Sequence, residues 1–408
     1  MNHYLHRLLH RAHPLAWTLV ATVALLVAAG SILFWYNGEV AVAPEGDSIQ
    51  QEGSGEVSEG INNTPFPLSV PDGFELSVYA EVPGARVIVR DGLNNLWVSQ
   101  TEQGTVSMID VSGGTKAVHP IFQNLNNPHG LAIEPGGQGT VLYIAEEHRI
   151  SRVQLYSDGP LEQIASLPEG GRHSTRTIEF GPDGRLYVSI GSSCDVCEES
   201  DERRGAIYSM NPDGSDFKEY ASGLRNSVFL DWSYVDGAMW ATEMGRDHLG
   251  DNLPPDEINV IEEGNHYGWP YCYGENVHDA SFDSSADAQN FCRNEASPST
   301  IELQAHSAPL GLAFIPEEGW DEAWWYDLLV AYHGSWNRSE PTGYKVVRME
   351  LDADGTYHAT HDFITGWLGE DGTVYGRPVD ILTYPGGEAF ITDDEAGLVY
   401  RLHRTTEV

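Results

Sequence analysis

Six short apolar runs punctuate the chain downstream of residue 65: LWVSQ from Leu96, LYIAE from Leu142, LYVSI from Leu186, MWATE from Met239, LLVAY from Leu328 and AFITD from Ala389. Each follows a second hydrophobic run across a turn, and turn tetrapeptides such as GPDG at Gly181, NPDG at Asn211 and DADG at Asp352 recur between strands. Apolar runs bounded by Gly, Pro and Asp predict β-strands joined by hairpins. The runs begin between 44 and 89 residues apart. That spacing suits one four-stranded unit each, with insertions in the later units, and predicts an all-β, six-bladed β-propeller. A pair of β-sandwiches or a β-helix fits the irregular spacing less well. The strand pattern GFELSVYAEV, Gly73 to Val82, is the natural partner of the last strand, ending near Leu402. Closing the ring in this way removes two exposed edges. The propeller domain is therefore placed at residues 65–408.

The pattern ahead of that domain is different. Residues 16–36, AWTLVATVALLVAAGSILFWY, carry no charge and are long enough to span a bilayer. The first 15 residues contain Arg7 and Arg11 and no acid. The positive-inside rule then puts residues 1–15 in the cytoplasm and the propeller on the periplasmic or extracellular side of an N-terminal transmembrane anchor. A secretory signal peptide competes with this reading, because AVA at Ala41 to Ala43 resembles a cleavage site, although the apolar run exceeds the usual signal length. Residues 37–64 are polar, acidic and Gly/Ser-containing, the composition of a flexible tether.

Charge narrows the partners. With 61 acidic against 22 basic residues, the net charge is −39, which argues against a nucleic-acid partner. Most of these carboxylates are read as solvated surface, and such a surface suits a salt-rich medium. The four cysteines form two local pairs, Cys194 with Cys197 and Cys272 with Cys292. Outside the cytoplasm both pairs read as disulfides. A redox-active pair or half of a zinc site are the alternatives for CDVC. Haem attachment is not indicated, since Glu198 and not His follows Cys197.

Candidate chemistry concentrates between Gly223 and Pro270, where GLRNS, TEMGRD and PPDEINVIEEGNHYGWP follow one another closely. Arg225 and Asn226 offer guanidinium and amide donors for planar carboxylates and carbonyls. The turn at Gly245, Arg246 and Asp247 offers oxygens for a hard cation such as calcium. Two loops of a β-protein with a buried Arg and a structural Trp would look similar.

The motifs NPHGLAI from Asn127, RHSTRTIEFGPDGRLYVSIGSS from Arg172, ASGLRNS from Ala221 and DEINVIEEGNHYGWPY from Asp256 lie in order along the chain. AHSAPLGLAF from Ala305, HGSWNRSEPTGYKVVRM from His333 and GRPVDI from Gly376 continue the series. Together they resemble the soluble-type quinoprotein sugar dehydrogenases, six-bladed propellers carrying pyrroloquinoline quinone (PQQ), and most closely the sorbosone dehydrogenase-like branch. The resemblance implies His173 as general base and Arg225 and Asn226 beside the quinone. It implies calcium held by Gly245 and Arg246, with Asp247 nearby, and a second, structural calcium at Glu257 and Tyr267. Arg377, Arg338 and Trp336 are implied as cofactor contacts, and His129, His306 and His333 as lining the pocket or bonded within the blades. Val379 stands where the glucose enzymes have a second arginine, and Pro128-His129 stands where they have a Gln beside the sugar, so glucose preference does not transfer.

The expected activity is PQQ- and calcium-dependent oxidation of an aldose or related sugar aldehyde at C1. Electrons would pass to a quinone or cytochrome of a respiratory chain. A calcium-dependent propeller hydrolase, lactonase-like, is the rival; such sites surround the metal with Asp, Glu and Asn side chains, whereas Arg, His and Asn concentrate here. A non-catalytic binding propeller is the third reading.

Overall fold

Strands covered on both faces by neighbouring sheets need no polar side, and this decides where the six apolar runs lie. The structure is a computed structural model; it describes residues 60–111, 116–136, 140–352 and 354–405. Each run is the second strand of a sheet, and every residue of Leu96–Gln100, Leu186–Ile190, Met239–Glu243 and Leu328–Tyr332 is buried. Among the described residues, five sheets have four strands in sequence order, a sixth has five, and Cys272–Tyr273 with Val277–His278 forms a separate two-stranded ribbon. The inner strands Ala85–Arg90, Leu131–Ile133, Ile178–Phe180, Leu230–Trp232, Pro309–Phe314 and Pro378–Tyr384 each contact the next, and the last contacts the first. The result is the all-β six-bladed propeller that the spacing predicts.

Closure occurs in the sixth sheet. Phe74–Glu81 pairs antiparallel with Leu398–Arg404, bringing Leu76 opposite Leu402, and both side chains are fully buried. The sheet begins earlier than the expected boundary at residue 65. Ile61–Asn63 adds a fifth, parallel strand to Phe74–Glu81, because an edge strand there still offers free backbone groups. The expected cytoplasmic tail, the apolar span 16–36 and residues 37–59 of the expected linker lie outside the described residues. Among the described residues, no helix is long and apolar enough to cross a membrane.

Threonine and aspartate side chains stitch the fourth blade to the fifth and the sixth to the first. Thr242 Oγ1 donates to the Leu310 carbonyl at 2.9 Å, and Thr392 Oγ1 to the Arg86 carbonyl at 2.6 Å. Asp380 Oδ2 accepts the Ile88 N–H at 2.9 Å. The fourth blade carries the long insertion, in which the helix Ala286–Asn294 is capped by Ser285 and tied to the ribbon strand Cys272–Tyr273 by the Cys272–Cys292 disulfide. At one rim of the ring, loops that enter the inner strands bring together His173, Asn226 and Ala308.

Because Leu76 fills the seam that closes the ring, Leu76→Ala should lower unfolding free energy by about 2–5 kcal/mol. Urea denaturation followed by tryptophan fluorescence measures it. A loss below about 1 kcal/mol would show that the seam does not hold the ring.

Candidate active site

The rim is organised by a turn closed on itself. After the strand Leu186–Ile190 the chain runs GSSCDVC, and Cys194 is bonded to Cys197. The turn presents Asp195. Its Oδ1 accepts from Arg225 Nη2 at 2.7 Å and from the Asp247 N–H at 2.8 Å, while its carbonyl accepts from Arg225 Nε at 2.9 Å. Arg225 also donates to the Met244 carbonyl at 3.2 Å and is only 4% exposed. Burial pushes the Asp195 carboxyl up, but the Asp247 N–H and Arg225 outweigh it and hold it below its ordinary value.

Asp247 is the second anchor. Its carboxylate accepts from Arg172, from Arg225 Nη2 at 3.4 Å and from Asn337 Nδ2 at 2.9 Å. Two carboxylates thus hold the buried guanidinium of Arg225, and one of them also pairs with the more exposed Arg172. Arg246 turns away from the cleft, bonding Asp279 at 2.5 Å and Ser281 at 3.2 Å.

Between these groups lies a cleft of about 360 Å³, lined by Arg172, His173, Arg225, Asn226, Met244, Gly245, Asp247, Asp256, His306, Ala308, Trp336 and Asn337. That volume falls in the range of small-molecule sites. Asp256 shapes the floor, its two oxygens accepting the Gly245 and Ala308 N–H groups at 2.9 Å each. Asn226 is fixed by its backbone, which donates to Glu243 at 2.9 Å, while its Nδ2 meets only the Met244 sulfur at 3.5 Å. A thioether is a weak acceptor, so the amide has hydrogen-bonding capacity left for a ligand. A Cβ on Gly191 would lie 2.5 Å from Asn226 Oδ1 and 2.7 Å from the His173 Cβ, so only glycine lets the two approach. Burial pushes His173 down to about 3, helped by the charges of Arg225 and Arg172.

A second, smaller cavity of about 30 Å³ lies behind Gly245, walled by Glu243, Glu257, Arg246, Tyr267, Trp269 and Cys272 among others. Glu243 and Glu257 face each other across paired strands. Glu257 accepts from the Gly274 N–H at 2.6 Å and from Asn259 at 3.0 Å, whereas Glu243 Oε2 is buried with no partner among the described residues. Burial raises both, Glu257 to about 7 and Glu243 well above its ordinary value. Two buried carboxylates around a space of this size suit one hard cation.

Of the residues singled out in the sequence, His173, Arg225, Asn226, Gly245, Asp247, His306 and Trp336 meet at the cleft. Trp336 is 66% exposed at its rim, and His306 Nε2 donates to the Gly250 carbonyl at 2.8 Å. Glu257, Tyr267 and Arg246 instead wall the small cavity. His129 is not among the residues lining the cleft: it is 0% exposed, packed edge-on to Phe229 and bonded to Thr177. His333 and Arg377 also lie outside that lining. They form a separate network, in which Arg377 contacts Tyr344 Oη at 2.9 Å and His333 pairs with Asp394 at 2.9 Å, which in turn pairs with Arg86. Arg338 bonds Asn252, and its Nε and Nη1 are buried without a partner beside the cleft-lining Asn337. Sequence reasoning missed Asp195, Ser192, Glu243 and Asp256; Asp195 sits inside the CDVC unit, whose closure was the available signal.

Comparison with known proteins places this geometry. Residues 68–405 match the family described as TrAA12-like. An uncharacterized protein of Borreliella burgdorferi is 32% identical across 85% of this chain and 92% of that protein. A pyrroloquinoline quinone-dependent pyranose dehydrogenase of Coprinopsis cinerea is 24% identical across 83% of this chain and 55% of that protein, so the chain spans about half of that relative. The holo form of the pyranose dehydrogenase PQQ domain from Coprinopsis cinerea superposes with a TM-score of 0.71 at 20% identity, covering 85% of this chain and all of that one. The calcium structure of the Trichoderma reesei AA12-family carbohydrate-active enzyme gives 0.70 at 21%, covering 84% and 99%. At these identities the likeness to solved structures is one of fold.

The depressed value of His173 has a sign. An unfolded chain takes up a proton near 6.5 and the folded one near 3, so this group's stabilising contribution is full above about 6.5 and is lost as the pH falls toward 3. In an NMR titration its C2 proton should not move between neutrality and about pH 4.5. A midpoint near the ordinary histidine value would contradict the burial and charge argument.

Proposed function

The chain belongs to the TrAA12-like family, and from that premise we propose that it is a PQQ- and calcium-dependent dehydrogenase oxidising an aldose or related sugar aldehyde at C1. The observation that carries this reading is the convergence in one cleft of an imidazole, a buried guanidinium and an underused amide, at His173, Arg225 and Asn226. PQQ is a planar quinone tricarboxylate. The cleft fits such a group: its volume is adequate, and among the described residues Asn226 Nδ2 has only a sulfur partner, while Arg338, next in sequence to the cleft-lining Asn337, keeps orphaned donors. When bound, the quinone supplies a two-electron hydride acceptor, which no side chain of this chain offers.

The protein's own groups then have distinct tasks. His173 is neutral at ordinary pH and takes the proton of the C1 hydroxyl. Arg225, held rigidly by Asp195, sets fixed positive charge where negative charge develops, with no reorganisation during the reaction. Asn226 and Arg172 orient the ligand. The cavity at Glu243 and Glu257 takes a structural calcium, and the oxygens of the Gly245 turn take the catalytic one. The sorbosone dehydrogenase-like branch fits the departures from the glucose enzymes at Val379 and Pro128. Two disulfides support an oxidising compartment. With the uncharged run 16–36, they favour a tethered periplasmic or extracellular enzyme feeding a respiratory quinone or cytochrome.

The test is reconstitution of the protein with PQQ and calcium, followed by a screen of aldoses with an artificial dye acceptor. Turnover should require both additions and be lost on chelation. His173→Ala should retain PQQ and lose turnover about a hundredfold to ten-thousandfold. Calcium-independent turnover, or a PQQ-loaded His173→Ala protein as fast as wild type, would overturn the reading.

A further inference from the structure

Imidazole has two nitrogens, and a neutral ring is a base at one of them only. His173 Nδ1 lies 3.0 Å from Ser192 Oγ. The serine hydroxyl has a single proton, and Ser192 Oγ donates it to the Cys194 carbonyl at 2.7 Å. Only lone pairs therefore remain on that oxygen to face the ring. Nδ1 must be the nitrogen that carries hydrogen, and the lone pair of the ring falls on Nε2. No hydrogen bond within the described protein engages Nε2, and the ring lines the cleft.

The acceptor that decides this is itself fixed. Ser192 is fully buried, and its N–H donates to the Arg225 carbonyl at 2.7 Å. The Cys194 carbonyl belongs to the turn closed by the Cys194–Cys197 disulfide. The ring is also held through its backbone, where the His173 N–H donates to the Ser192 carbonyl at 3.3 Å. A hydroxyl, unlike a carboxylate, directs the tautomer without adding negative charge that would favour the imidazolium.

We propose that Ser192 is a positioning residue that locks His173 in the Nδ1–H tautomer and so aims its basic Nε2 into the cleft, using the carbonyl of the disulfide-closed turn as anchor. The inference rests on the reading of His173 as the base, but its direct test does not. In the apo protein with 15N-labelled histidine, assigned by a His173→Gln spectrum, long-range 1H–15N correlations should show Nδ1 protonated and Nε2 bare. Ser192→Ala should shift the ring toward the Nε2–H form that imidazole prefers in water. Ser192→Thr, which keeps a hydroxyl on the same carbon, should restore the Nδ1–H signature. In the PQQ- and calcium-loaded enzyme, Ser192→Ala should lower kcat about tenfold or more with KM little changed, and Ser192→Thr should recover most of it. A wild-type ring protonated at Nε2, or a Ser192→Ala spectrum identical to wild type, would overturn the proposal; the wild-type and Ser192→Thr spectra decide if Ser192→Ala does not fold. A shifted tautomer with unchanged kcat would support the positioning while removing His173 as the base.

Discussion

The pairing of Asp195 and Asp247 with the guanidiniums of Arg172 and Arg225 is the interaction on which the cleft depends. A cation as buried as Arg225 needs well-placed acceptors, here two carboxylates, and removing one partner of such a buried ion pair typically costs about 3–5 kcal/mol. Here one carboxylate comes from a turn closed by a disulfide after the third blade's second strand, the other from the glycine turn after the fourth blade's. Two blades are thus locked together at the rim by charge. The same turn supplies the Cys194 carbonyl that engages Ser192 and, through it, His173. Charge placement and base orientation share one covalent anchor.

The ring makes this arrangement possible. Closure by Phe74–Glu81 against Leu398–Arg404 leaves six inner strands around a common axis, so loops distant in sequence meet at one end. Polar groups around that axis are satisfied between blades, as Asp380 is by the Ile88 N–H and Thr392 by the Arg86 carbonyl. The rim therefore carries two separate charge networks, one around Asp195 and Asp247 and one around Asp394. The first surrounds the cleft.

The propeller was legible because its signal is local. Turn tetrapeptides and doubly covered second strands repeat along the chain, and the partner of Leu398–Arg404 could be named from its pattern alone. The edge strand Ile61–Asn63 was not legible, since a three-residue polar segment has no periodicity to read. In the site, Arg225, Asn226 and His173 stood out by motif, whereas the sequence left open if His129 and His333 line the pocket or bond within the blades. The answer is a property of packing: His129 is fully buried against Phe229, and His333, just past the strand Leu328–Tyr332, pairs with Asp394. Asp195, Ser192 and Glu243 were hidden for a related reason: their importance lies in partners 19 to 52 residues away, Ser192 with His173 and Asp195 with Asp247. Glu243 needs the strand register to face Glu257.

The central claim is that this cleft, held by its carboxylate-paired arginines, receives the quinone. A crystal structure of the protein grown with PQQ and calcium tests it most directly. The account predicts one quinone in the cleft lined by His173, Arg225 and Asn226, with the Asp195 and Asp247 pairings to Arg225 intact. An empty cleft at saturating PQQ and calcium, or the quinone bound elsewhere on the propeller, would contradict it.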